Sequence, residues 1–353
     1  MDTLVDIIEI NDIRGEKEFK GITFSGFKKT DVLKEFLKSV NDSKLESACY
    51  WCAELVCSGH YGDLWNIILF YFAKFIHIGN PKLIHFIETK CEKFKSIVNN
   101  GYSGQELRLR NNATMRSIFG EICVILVYSR KKHPLQETKI STSTNFFKYK
   151  APNLTYFDNY CLEEDLKDLI VPINEFVYQI KCEKNSVEAC YWVEWLLEFE
   201  RKCKKENITI LGRRELKEID SKFQKDMAFC IWDILLSESY EITPKIIHTL
   251  ILSSYKLFSL RYSNGTLKKR KLLIYFCIEL LTNPYQNLSI LDDKSKMVNL
   301  NENLNIVYKQ VKKNEHSPNT DYLFNNEKAN NLEKTIAKLD AMKNFENTFI
   351  PRV

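Results

Sequence analysis

Four side chains able to hold a metal fall within twelve residues, as Cys49-x-x-Cys52 followed by Cys57-x-x-His60. Thiolate sulfur and imidazole nitrogen are the ligands tetrahedral zinc takes, and these spacings are ones zinc sites use. The surrounding sequence opposes that use. Cys49 and Cys52 lie on the apolar stripe of a predicted helix, no glycine knuckle separates them, and Tyr50-Trp51 would have to flank the ion. A nucleophilic Cys57/His60 pair lacks a carboxylate at a readable position to orient the base. The reading is therefore of structural thiols, with no metal, no catalytic residue and no cofactor expected.

Other chemical signatures are absent: there is no Gly-x-x-x-x-Gly-Lys-Ser/Thr, no Gly-x-Gly-x-x-Gly, no His-Glu-x-x-His and no Gly-x-Ser-x-Gly. Glu163-Glu164-Asp165 reads as the acidic start of a helix, where negative charge meets the positive end of the dipole. An enzyme would need a site of unfamiliar form, visible as a deep polar pocket.

The elements that must position these residues come in two sets. Glu35-Phe36, Ala48-Cys49-Tyr50-Trp51, Trp65 ahead of Ile67-Ile68-Leu69, and Pro81-Lys82-Leu83-Ile84-His85 recur in the same order. The second set is Glu175-Phe176, Ala189-Cys190-Tyr191-Trp192, Trp232 ahead of Ile234-Leu235-Leu236, and Pro244-Lys245-Ile246-Ile247-His248. Four ordered matches point to a tandem duplication. The second copy keeps Cys190 but has Val193, Glu198 and Arg201 at the places of Cys52, Cys57 and His60; a metal site would not be so dispensable. His85 and His248, each following Pro-Lys at a helix start, read as packing or capping residues.

Apolar spacing of three and four residues gives an all-α fold built as two five-helix repeats. A small hairpin arm is expected over 1–29, repeat 1 over 30–130, a linker over 131–165, repeat 2 over 166–283, and a tail over 284–353 with one helix near 327–345. Helices are expected near 30–41, 43–58, 62–78, 81–99 and 105–130, then 166–182, 186–206, 219–239, 244–261 and 266–282. The third, apolar nearly all round from Leu64 to Phe75, is expected to be the buried centre of its repeat. Trp195 and Phe199 share a face with Tyr191 and Trp192, whereas the first copy has Glu54 and Ser58 at their places. They mark a surface special to repeat 2, read first as the seam between repeats and second as a partner groove.

Charge is concentrated in the second repeat. Between Ile242 and Ile278 there is no acid, and Lys245, Lys256, Arg261, Lys268, Lys269, Arg270 and Lys271 give a local +7; from Arg201 to Lys217 seven bases face two acids. The net charge of the whole chain is only +5, so the rest is acidic. If they converge, Arg201, Lys202, Lys204, Lys205, Arg213, Arg214 and Lys268 to Lys271 would form a surface for phosphates. Eleven scattered cysteines in a chain of 353 residues imply a reducing, intracellular setting. The longest apolar run, near Ile67 to Ala73, is too short to span a bilayer.

Two five-helix sets resemble the tandem cyclin-box architecture of cyclins and B-type general transcription factors, which implies an adaptor for protein or DNA. The wording of Ala48-Cys-Tyr-Trp51, Ala189-Cys-Tyr-Trp192, Lys222-Phe-Gln-Lys-Asp226 and the run from Lys268 to Leu281 resembles uncharacterised proteins of nucleocytoplasmic large DNA viruses. That likeness covers about residues 45–285 and implies a viral setting, with the protein in host cytoplasm or a viral factory. The expectation is a non-enzymatic helical scaffold that binds partner proteins, with nucleic acid as a second candidate ligand and no membrane.

Overall fold

The computed structural model describes residues 8–138, 140, 149–212, 219–242, 244–263, 265–298 and 300–316. The fold is all-α, and among these residues the only β pairing is a single antiparallel bridge between Ile22 and Lys28. No helix among them is long and apolar enough to cross a membrane.

The first half contains α1 (Lys29–Asn41), α2 (Leu45–Cys57), α3 (Tyr61–Tyr71), α4 (Leu83–Asn99) and α5 (Ala113–Tyr128). α1 turns Val32, Phe36 and Val40 inward at four-residue steps onto α2. The expected helix over 62–78 breaks early: α3 widens into a π turn at Phe72–Ile76, then tightens into a 3-10 turn at His77–Gly79. α3 is not the centre of this half. That place belongs to α5, buried almost continuously from Ile118 to Val127, while Ile67 and Phe70 of α3 keep partial exposure. Asn112 accepts a hydrogen bond from Met115 N and so caps α5.

The second half contains α6 (Ile170–Tyr178), α7 (Ser186–Lys205), α8 (Met227–Tyr240), α9 (Ile246–Ser259), the short α10 (Thr266–Arg270) and α11 (Leu272–Thr282). α11 is buried nearly all round and is the centre here, touching α7, α8 and α9. Some helix pairings recur in both halves: α1 with α2 as α6 with α7, and α2 with α5 as α7 with α11. Several apolar members of the repeated words are inside, with Phe36, Phe176 and Trp232 fully buried and Trp65 nearly so. Their polar members diverge: Glu35 is exposed and Glu175 buried.

Three expected boundaries change. The arm is no free hairpin; Phe19 and Phe24 are buried, and the bridge at Ile22 is the only β pairing among its described residues. The linker's second part belongs to the second half: Glu175 accepts the N–H groups of Lys150 and Ala151, Asn174 holds Tyr156 N, and Tyr149 stacks on Trp192. The tail contributes a docked helix, α12 (Leu300–Lys312), which lays Leu304, Tyr308 and Val311 against α2 and α5. The helix expected near 327–345 lies outside the described residues.

The halves meet through α4 against α9, through Phe72 edge-on to Phe276 of α11, and through α3 against α10. Lys256 of α9 donates to Glu88 of α4, and His85 Nδ1 lies 2.9 Å from Ser253 Oγ. His248 instead faces Ser239, on its own half. The seam is thus built by α3, α4, α9, α10 and α11, whereas α7 packs on α6, α8 and α11. The expected seam role of Trp195 and Phe199 is corrected accordingly.

α12 sits close to α5 because Gly120 has no side chain: a Cβ there would lie 2.5 Å from Leu304 Cδ1. Gly120→Ala gains about 1 kcal/mol of helix propensity but forces Leu304 aside, and overpacking typically costs about 1–3 kcal/mol. Leu304→Ala alone should lose roughly 2–5 kcal/mol by leaving a cavity. Urea unfolding of both single variants and the double variant should show the double more stable than additivity allows by about 1 kcal/mol. Strict additivity would mean that the two residues do not meet.

Candidate nucleic-acid interface

A concavity of about 1060 Å³ opens between the N-terminal arm, the start of α3, the later turns of α4, and residues 260–263 and 265–270. Its wall carries Lys17, Lys20, Lys29, Lys95, Arg261, Lys269 and Arg270 against Glu16 and Glu106. Two of the cations are neutralised locally, Lys29 by Asp63 at 2.7 Å and Lys95 by Glu92 at 2.8 Å. Lys17, Lys20, Arg261 and Lys269 are exposed and have no ion-pair partner among the described residues.

Arg270 builds the floor. Its Nη1 donates to the carbonyls of Leu257, Phe258 and Leu260 at 2.7–3.0 Å, and its Nε donates to Asn66 Oδ1 at 3.1 Å. The last carbonyls of α9 have no partner within the helix, and a buried guanidinium supplies one while opposing the negative end of the helix dipole. Burial pulls its pKa down, yet a guanidinium remains charged at any ordinary pH. Since residues advance about 100° each around a helix, tying Arg270 inward leaves Lys268 and Lys269 outside.

The sequence-predicted phosphate contacts therefore separate. Arg270 is buried with its donors committed to carbonyls, so it is not a surface contact. Lys271 is held between Glu194 at 2.6 Å and Glu137 at 3.0 Å, and Glu194 also accepts the Tyr275 hydroxyl. Lys204 bridges Asp226 and Glu200, and Glu200 accepts Met227 N at the first turn of α8. Arg201 pairs with Glu198 on the helix surface. Lys202, Lys205, Lys268 and Lys269 are exposed without such partners among the described residues. Arg213 and Arg214 lie outside the described residues. The cations that Lys269 joins at the cleft come largely from the first half, and residues 201–205 do not line it.

Sequence reasoning missed the arm's part in the cleft, because nothing local says that Lys17 and Lys20 will face a loop as distant in the chain as Arg261. It also missed Arg110 and Arg116, which lock that arm. Arg116 donates to Arg110 O and Ile8 O and lies 4.0 Å under the Tyr308 ring of α12; Arg110 reaches Asp12 O. An arginine inside an otherwise apolar helix was the available signal.

The four Cys/His side chains near α2 do not form one ligand set. Cys49 pairs with the thiol of Cys123, and together with burial this pushes its pKa far up; Cys57 is wholly buried; His60 Nε2 lies 2.7 Å from Ile22 O and so ties down the arm. Among the described residues no group of three or more His, Cys, Asp or Glu is arranged to hold a metal ion. Cys91, in the cleft wall, has its pKa pushed up to about 11 by burial, the opposite of an activated nucleophile.

Trp195 stacks on Phe199 with centroids 5.0 Å apart and planes 13° apart, and continues through Trp192 to Tyr149. Both Trp195 and Phe199 are half-buried. In the first half Trp51, at the matching place in the repeated words, packs against Phe27, and Glu54 accepts Ser25 N. Comparison of the chain with protein-family models, curated proteins and solved structures finds no match.

Removing the Arg270 cap while keeping an apolar stem, as in Arg270→Met, leaves several buried carbonyls unpaired and should cost roughly 3 kcal/mol or more. Lys268→Gln and Lys269→Gln should stay within about 0.5 kcal/mol of the parent. Denaturant unfolding of the three variants checks this, and an Arg270→Met protein as stable as Lys268→Gln would overturn the buried-cap account.

Proposed function

We propose that the protein is a non-enzymatic binding protein that grips nucleic acid by its phosphates in the cleft between the halves. The observation that carries this reading is the meeting of Lys17 and Lys20 of the arm with Arg261 and Lys269 of the second half around one concavity. Like charges gathered without carboxylate partners repel one another, and a polyanion relieves that repulsion while releasing its own counterions. Binding rather than chemistry fits the wall: His60 is engaged with a carbonyl, and the Cys91 thiol is held protonated.

A scaffold role in a large DNA virus, the setting implied by the sequence resemblance, is compatible with this grip. The half-exposed Trp195–Phe199 stack is the surface we assign to a protein partner, because aromatic side chains give a large docking area for little lost entropy.

Affinity for labelled oligonucleotides, measured over a salt series, tests the nucleic-acid reading. Combined Lys20→Gln, Arg261→Gln and Lys269→Gln replacement should weaken binding and lower the salt slope by roughly 0.7 to 0.9 for each phosphate no longer neutralised. Combined Arg201→Gln, Lys202→Gln and Lys205→Gln replacement should leave both nearly unchanged. An effect confined to the second set would move the site to α7, and absence of binding by the parent at low salt would refute the reading.

A further inference from the structure

We infer that the cleft selects single-stranded over duplex nucleic acid, with Phe94 as a stacking surface for a base; this rests on the binding reading above. Phe94 of α4 is half-buried in the wall of the same cleft that the cations of the arm and of the second half line. Its ring is fixed edge-on by Trp65, at 5.6 Å and 77°, and by Phe119, at 6.0 Å and 70°. Tyr61 also lies against it, at 5.4 Å and 54°, and a ring braced by three neighbours loses little further freedom when a base settles on it.

The shape argues the same way. A duplex hides its base faces and presents phosphates on a convex cylinder, which is met by broad faces or by elements that enter a groove. Here the cations line a concavity of about 1060 Å³, just above the roughly 300–1,000 Å³ usual for enclosed small-ligand sites. That space admits a few splayed nucleotides and not the body of a double helix. Cations along the rim for the backbone and an aromatic in the wall for a base are the two components of sequence-tolerant single-strand sites. The sequence could not show the combination, because Phe94 belongs to the first half and Arg261 and Lys269 to the second.

The experiment compares three fluorescent probes at one low salt concentration: a deoxythymidine oligomer, an abasic strand of the same length, and a hairpin duplex. The parent should bind the oligomer on the order of tenfold tighter than either of the others. Phe94→Leu keeps apolar packing but removes the ring, and should erase that preference while leaving duplex affinity and thermal unfolding close to the parent's. Lys269→Gln should weaken all three probes together. Equal affinity of the parent for strand and duplex, or an unchanged preference in a folded Phe94→Leu protein, overturns the single-strand inference and leaves the phosphate-binding reading standing. No binding of any probe refutes both.

Discussion

The guanidinium of Arg270 is the joint on which the cleft depends. It meets three carbonyls at the end of α9 and the side chain of Asn66 in α3, so one charge ends a helix and reaches across the halves. A buried cation without a carboxylate is costly unless dipoles replace the water it loses. The C-terminus of a helix concentrates such dipoles, and arginine offers several donors in a rigid plane where lysine offers a point charge. With that joint made, α10 is held against α3, and Arg261 and Lys269 line the same cleft as the arm.

A second buried arginine does the corresponding work at the other side of the first half. Arg116 is satisfied by the carbonyls of Arg110 and Ile8 and by the face of Tyr308, so it couples α5 to both ends of the described chain. Ile13 N also donates to His316 O at 3.0 Å, closing arm onto tail. The arm that supplies Lys17 and Lys20 is therefore anchored by residues far from it in sequence. Rigid anchoring matters to a charged cleft, since flexible lysines on a loose loop would separate to relieve their repulsion.

The two halves share their apolar vocabulary and differ in how the face of their second helix is covered. In the first, Phe27 packs edge-on to Trp51 and Ser25 binds Glu54; in the second, Tyr149 stacks on Trp192, and Trp195 and Phe199 stand where Glu54 and Ser58 would be. The first face is sealed by a carboxylate and its hydrogen bonds, and the second keeps a partly open aromatic ladder. Apolar positions are constrained similarly because both cores need comparable volume filled. The polar positions follow whatever chain lies over them.

Much of the fold was legible in the sequence. The periodic apolar residues of α1, α2, α4, α7, α9 and α11 marked those helices, because a buried face must recur every three to four residues whatever packs on it. α12 carried the same signal in Leu300, Leu304, Val307, Tyr308 and Val311, but its Asn- and Lys-rich composition concealed it. The candidate site was legible only as charge. Lys268, Lys269, Arg270 and Lys271 are four equivalent cations in the sequence, and the fold gives two to solvent, one to α9 and one to Glu194 and Glu137. A helix sends consecutive residues in different directions, and which direction is inward depends on partners as distant as Asn66, 204 positions away. Local spacing determined where the helices would form; the fate of each charge was decided by long-range packing, because the cost of burying it is set by the dipoles and carboxylates that other segments bring.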